Sequence, residues 1–219
     1  MRHFPWLRIL VHIIGWLPLA KLIFDFAAHN LTVNPIQEIE QRLGRAALYF
    51  LAAALAITPV HTLTGWRSVL PRRRALGLYA FFYASLHFLT FAGLDYGFNL
   101  AQILDLVTTK PYIIAGTLAF SLLVPLAVTS FDYFIRRMKK NWKRLHRLVY
   151  PAGLIVIVHF VWARKGNLFQ LQGDVLQPLL WGLLVVFLLI LRIPAARKWV
   201  SGLRQSIMGR RRAQTHAEK

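Results

Sequence analysis

Residues 72–94 read Arg72-Arg73-Arg74 followed by ALGLYAFFYASLHFLTFAGL, a basic cluster leading into an uncharged stretch, 75–94, that contains His87. Twenty apolar residues are what one helical crossing of a bilayer requires. A second stretch has the same plan. Lys143, Arg144, His146 and Arg147 precede residues 148–163, which carry no charge and contain His159. His87 lies thirteen residues past Arg74, and His159 lies twelve past Arg147. At 1.5 Å rise per residue, both imidazoles fall roughly 18–20 Å from their basic ends.

Working outward, the same pattern recurs along the chain. It has 219 residues, 57% of them hydrophobic, with mean hydropathy +0.48. A soluble domain of this size is not this apolar. Six spans are expected, at about 7–27, 44–62, 75–94, 111–131, 148–164 and 175–193, forming an all-α six-helix transmembrane bundle. No repeat or low-complexity linker separates them. The domain reading is one six-span unit over 1–193 and a basic tail over 194–219. The first apolar stretch runs on through Phe26 without a small-residue cleavage site, so it reads as an uncleaved helix.

The net charge is +19. Of the 27 Lys and Arg, 21 fall in the N-terminal segment, the 64–74 loop, the 136–147 loop and the segment from Arg192 onward. That asymmetry places both termini and the basic loops on the cytoplasmic side of the membrane. The charge serves topology and lipid headgroups, and nucleic acid is excluded as its explanation. Trp6, Trp66, Trp142 and Trp199 near the basic ends, and Trp162 at the opposite end, suit interfacial positions. Lys21 and Asp25, four apart in the first span, are placed to neutralise each other. The absence of cysteine removes disulfides, iron–sulfur clusters and thiol chemistry.

An ionisable side chain inside the membrane is costly and marks function. Two histidines at one depth match the two axial ligands of a haem held between helices 3 and 5. Ala84, Ala80 and Gly77 precede His87 at helical spacing and share its face, a surface that a flat macrocycle or another helix can approach. His146 precedes His159 by thirteen residues, about 220° around an ideal helix, so the two do not share a face unless Pro151 kinks the helix. Two readings stand for His146: a ligand to a second cofactor with His12 or His61, or an interfacial side chain. Arg73 and Arg74 suit a flavin phosphate, but spacing alone favours a topogenic role. The segment after Arg192 carries neither a dinucleotide fingerprint nor a phosphate loop, so electrons are expected from quinol or a separate reductase.

Several segments together carry a family resemblance: Asn34-Pro35, Gly44-Arg45-Ala46-Ala47-Leu48, Thr58-Pro59, the stretch from Arg73 to His87, Lys110-Pro111-Tyr112, Thr129-Ser130, and Trp142 through Tyr150 leading to His159. In these the chain resembles the haem-binding membrane subunits of bacterial periplasmic methionine-sulfoxide reductase systems, within the ferric-reductase-like transmembrane superfamily. The resemblance covers nearly the whole chain, with one departure at Gln41, where many members carry His. It implies haem b held by His87 and His159, with His146 also implicated, and FMN at Arg73 and Arg74. It implies electron transfer in the bacterial inner membrane from quinol, or a cytosolic flavin reductase, to a periplasmic molybdenum-containing methionine-sulfoxide reductase. No catalytic residue is expected in the chain itself. Two other classes compete with this: a transporter with proton-relay histidines, and a structural anchor with inert ones.

Overall fold

The computed structural model describes residues 6–164 and 176–202. Among these the elements are helical: α1 (Trp6–Ala27), α2 (Pro35–Thr64), α3 (Arg72–Leu89), α4 (Leu100–Thr109), α5 (Pro111–Val128), α6 (Asp132–Met138), α7 (Lys140–Leu145), α8 (Val149–Ala163) and α9 (Leu176–Ile190). Five helical stretches are long and apolar enough to cross a membrane. A sixth arises if α9 and the segment Pro194–Gly202, bent by 79° from it, count as one. The expected all-α membrane bundle is the one observed among the described residues, with five spans, or six if the bent pair is one.

Helix α2 is the centre of the bundle and packs against α1, α3, α8 and α9, while α5 packs against α3 and α8. The core gathers Phe50, Leu51 and Leu55 of α2, Ala80 and Tyr83 of α3, Ala152 of α8 and Val185 of α9. By contrast Ile13, Leu17 and Phe24 of α1, and Leu180, Leu183 and Phe187 of α9, are exposed. Apolar side chains facing outward all around are what a lipid solvent demands. Trp6 stacks on Trp66 at 6.2 Å between ring centroids, bringing two of the basic ends together.

Helix α2 starts nine residues before the expected span. Asn34 caps it by accepting from Gln37 N (3.2 Å), and Pro35 occupies the first turn. The added turns carry Glu38, Glu40 and Arg42, which an apolar-run criterion leaves out. Arg42 pairs with both Asp25 and Glu38, and Lys21 reaches Asp25 at 3.0 Å. The Lys21–Asp25 pair therefore does more than neutralise locally: through Arg42 it joins α1 to α2.

Near the prolines inside α1 and α2, side chains from elsewhere in the bundle bond to the helix backbone. Pro18 interrupts α1, and the hydroxyl of the fully buried Tyr83 donates to Gly15 O (2.7 Å) and accepts from Leu19 N (3.2 Å). Pro59 has no N–H for the carbonyl of Leu55, four residues earlier. That carbonyl instead accepts from Arg192 Nε (3.1 Å), whose Nη2 donates to Ala54 O (3.2 Å). Pro151, the expected kink before His159, lies in the first turn of α8, where a missing N–H costs nothing. A 3-10 turn, His146–Leu148, precedes it and joins α7 to α8 within one helical stretch, Lys140–Ala163.

Candidate functional site: two histidines facing across a cavity

Helix α3 carries His87 and α8 carries His159, and the bundle brings their rings to 6.0 Å between centroids at an interplanar angle of 76°. Each ring is anchored in the same way. His87 Nδ1 lies 2.9 Å from the carbonyl oxygen of Glu40 on α2, and His159 Nδ1 lies 2.7 Å from that of Tyr112 on α5. A carbonyl only accepts, so Nδ1 carries the proton in both rings and Nε2 keeps its lone pair. Among the described residues neither Nε2 has a hydrogen-bond partner. A backbone carbonyl on the far nitrogen is how a metal-ligating histidine is usually oriented.

Glycine makes the close approach of each ring to a helix feasible. A Cβ built on Gly44 would stand 3.2 Å from His87 Nδ1, and one on Gly116 only 2.8 Å from His159 Nδ1. The two halves correspond residue by residue. Each histidine bonds a carbonyl 47 positions earlier, and a glycine follows that carbonyl by one helical turn. An offset of 72 relates Glu40 to Tyr112, Gly44 to Gly116, Ala80 to Ala152 and His87 to His159. The α2–α3 and α5–α8 pairs are thus two versions of one construction, a repeat that the sequence alone does not announce.

A cavity surrounds the pair. Its walls include Ala84 and Phe88 of α3, Leu51 of α2, Phe120 and Leu123 of α5, and Val156 of α8. Phe120 stacks on Phe88 at 5.1 Å and on Phe81 at 5.7 Å. Of the small-residue face expected from the sequence, Ala80 and Ala84 line this space and Gly77 does not. Beyond His87 the backbone opens into a π-helical segment, Thr90–Asp95, a distortion frequent at functional sites.

The other candidates lie elsewhere. His146 Nε2 donates to Thr129 Oγ1 (3.2 Å), whose own proton goes to Pro125 O (2.6 Å). Its ring stacks on Trp142 at 4.0 Å, and Trp142 Nε1 donates to Thr129 O (2.8 Å). His146 does not line the cavity of the pair. No hydrogen bond or ring contact links it to His12 or His61 among the described residues, and His12 is joined to the Tyr79 hydroxyl at 2.9 Å. Arg74 forms an ion pair with Asp132 at 2.5 Å. Arg73 is exposed and stands close enough to His146 and Arg192 for its charge to act on both. The sequence reading passed over Glu40, Tyr112 and Gly116 as site residues. The 72-residue offset relates them, and it becomes visible once the two carbonyl contacts are known.

A helical bundle holding two inward histidines at one level defines a class. The family described as ferric reductase like transmembrane component matches residues 43–157. More particular relatives are similar over most of their length. A protein-methionine-sulfoxide reductase heme-binding subunit MsrQ from Xanthomonas euvesicatoria pv. vesicatoria is 43% identical over 188 residues, covering 83% of each chain. One of the same name from Herminiimonas arsenicoxydans is 39% identical, covering 85% of this chain and 84% of its own. Another from Rhodospirillum rubrum is 40% identical over 197 residues, covering 89% and 91%. The chain belongs to the MsrQ family of ferric-reductase-like transmembrane proteins. No solved structure matches it.

Proposed function

We propose that this chain is the membrane electron-transfer subunit of a methionine-sulfoxide reductase system and that it binds haem b between His87 and His159. The observation that carries this reading is the spacing of the two rings. A histidine nitrogen sits about 2.0–2.1 Å from a first-row metal, so two rings sharing one ion in line have centroids about 6.3 Å apart, allowing about 1.1 Å from each ring centre to its nitrogen. The observed 6.0 Å agrees. No group of three or more His, Cys, Asp or Glu that could hold a bare ion occurs among the described residues. A haem would be held by His87 and His159, and the small-residue face and aromatic walls suit its apolar body. When bound, haem supplies a one-electron redox centre.

The residues of the chain hold and orient that centre. The carbonyls of Glu40 and Tyr112 fix the tautomer of each imidazole, and Gly44 and Gly116 fix its depth. The same anchoring argues against a proton relay. A relaying imidazole must release a proton from one nitrogen while taking one on the other, and here each Nδ1–H is committed to a backbone carbonyl.

FMN docks at the basic end through Arg73 and Arg74, with His146 nearby. Quinol, or a cytosolic flavin reductase, delivers electrons. A periplasmic molybdenum-containing subunit receives them and reduces methionine sulfoxide in oxidised proteins. The bundle lies in the bacterial inner membrane with both termini and the 194–219 tail in the cytoplasm, which puts the histidine pair nearer the acceptor side.

The deciding experiment is the visible spectrum of the purified chain, with His87→Ala and His159→Ala beside it. A Soret band that sharpens on reduction, and loss of most haem by pyridine haemochrome in each variant, is the expected result. A colourless native chain removes the proposal, and full occupancy in either variant removes that residue as a ligand.

A further inference from the structure

Helix α1 presents a polar pair on its lipid-facing side. His12 is exposed there, in a shallow groove with Arg8, Ile13, Trp16 and Leu17. Its Nδ1 lies 2.9 Å from the hydroxyl of Tyr79 on α3. An imidazole turned toward lipid is costly, and such groups mark function. Gly15 lets the Tyr79 ring lie against α1, since a Cβ there would overlap that ring. Trp16 meets the Tyr79 ring edge-on at 6.3 Å and the Phe82 ring at 5.5 Å, an aromatic shelf one helical turn from His12.

The pair suits both forms of a two-electron carrier. When His12 Nδ1 donates its proton to Tyr79, Nε2 is an acceptor and can receive a hydroxyl. When the Tyr79 hydroxyl donates to Nδ1, Nε2 carries the proton and can donate to a carbonyl. His12 has no other hydrogen bond among the described residues. Six residues past Trp6, its ring lies about 9 Å in from the basic end of α1, within reach of a head group whose tail stays in the lipid. On the inner side, Tyr79 and Phe50, with rings 5.4 Å apart, directly precede Ala80 and Leu51, which line the histidine cavity. The same turn of α3 thus serves the pair on one side and the cavity on another. Tyr79 stands eight residues before His87, about 12 Å of helix rise.

We propose that His12 and Tyr79 bind the head group of a membrane quinol, with its ring against Trp16 and its tail in the lipid. This rests on the electron-transfer reading above and selects a donor within it: quinol, entering sideways from the bilayer near the basic end. Oxidation of a quinol to the quinone releases two electrons and two protons. His12 Nε2 accepts one hydroxyl proton, and passing it to water at the basic end frees the same nitrogen for the second. The two electrons go one at a time to the one-electron centre in the cavity.

The test is photolabelling of the purified full-length chain, in detergent, with an azido-ubiquinone, the labelled peptides being located by mass spectrometry. Label on residues 8–20 or 79–82, displaced by decylubiquinone, is the expected result. His12→Leu and Tyr79→Phe should each raise the decylubiquinone concentration that halves labelling by about five-fold, the worth of one hydrogen bond. Combining them should add little, because the two side chains act as one unit. Label confined to other segments of the native chain overturns the proposal whether or not the variants fold. So does unchanged displacement in both variants. Displacement by phosphatidylglycerol as effective as that by decylubiquinone overturns it too, and marks a lipid headgroup site. Labelling needs no haem, so a colourless chain that labels beside His12 removes the haem reading and keeps the quinol site.

Discussion

Gly116 lies directly beneath His159: a Cβ there would come within 2.8 Å of Nδ1 and 2.9 Å of Cε1. No side chain tolerates that distance, so even a methyl group forces the ring off the backbone and strains its bond to Tyr112. Under His87 the corresponding clearance at Gly44 is 3.2 Å, which a shift of a few tenths of an ångström relieves. The two halves of the site are alike in plan but unequal in tolerance.

The first prediction uses that inequality. Gly116→Ala should lose most of the haem from the purified protein, whereas Gly44→Ala should retain the larger share with an altered spectrum. Pyridine haemochrome against protein concentration measures both. If Gly116→Ala keeps native occupancy and a native spectrum, the glycine serves helix packing only.

Much of this site was legible in the sequence, for identifiable reasons. Hydropathy and the alternation of basic loops located the spans, because the bilayer imposes length and charge rules that act locally along the chain. The equal depth of His87 and His159 followed from counting residues from two basic clusters. What packs on those histidines was not legible. Glu40 and Tyr112 contribute only backbone carbonyls, which any residue supplies, so no side chain advertises the role. Gly44 and Gly116 matter because of a ring 43 positions away along the chain, and a lone glycine carries no mark of that. The early start of α2 was hidden because Glu38 and Arg42 look like loop residues until they are seen paired with each other and with Asp25.

A second prediction separates the two arginines assigned to flavin phosphate. Arg74 is already paired with Asp132, in an exposed bridge of about 0.2–1 kcal/mol. Arg73 points its charge at the region of His146 and Arg192. Arg73→Gln should therefore weaken flavin retention about ten-fold, with the haem spectrum intact, because a phosphate contact is the stronger interaction. Arg74→Gln should do less, and Asp132→Asn, by freeing Arg74, should tighten retention. Flavin fluorescence after acid release, normalised to haem, reads all three. Flavin lost in Arg74→Gln but kept in Arg73→Gln would reverse the assignment.

A third prediction concerns Tyr83, whose hydroxyl sits between Gly15 O and Leu19 N of α1. Tyr83→Phe keeps the ring and its stack on Phe50 at 5.4 Å, and removes only the bridge. A stability loss of about 1–2 kcal/mol is expected, since α1 can partly close its own Leu19-to-Gly15 bond in response. The midpoint of denaturation in mixed detergent gives the value. A loss as large as that of Tyr83→Ala would mean that the hydroxyl alone holds α1 in place.

The last prediction is a double-mutant cycle on Arg192 and Pro59. Arg192 Nε donates to the carbonyl of Leu55, which lacks a helical partner because Pro59 has no N–H. Arg192→Met keeps most of the apolar stem and leaves that carbonyl unsatisfied among apolar neighbours, at a cost of about 1–3 kcal/mol. Pro59→Ala restores an N–H in register with Leu55 and so supplies the partner from within α2. In that background Arg192→Met should cost at least about 1 kcal/mol less than in the native chain, a coupling typical of residues that share a partner. Arg192 also lies over the Tyr150 ring at 5.5 Å, and the loss of that contact is common to both arms of the cycle, so it cancels. Equal costs in the two backgrounds would show that Arg192 stabilises the bundle through Tyr150 and the end of α9, not by serving the carbonyl that Pro59 orphans.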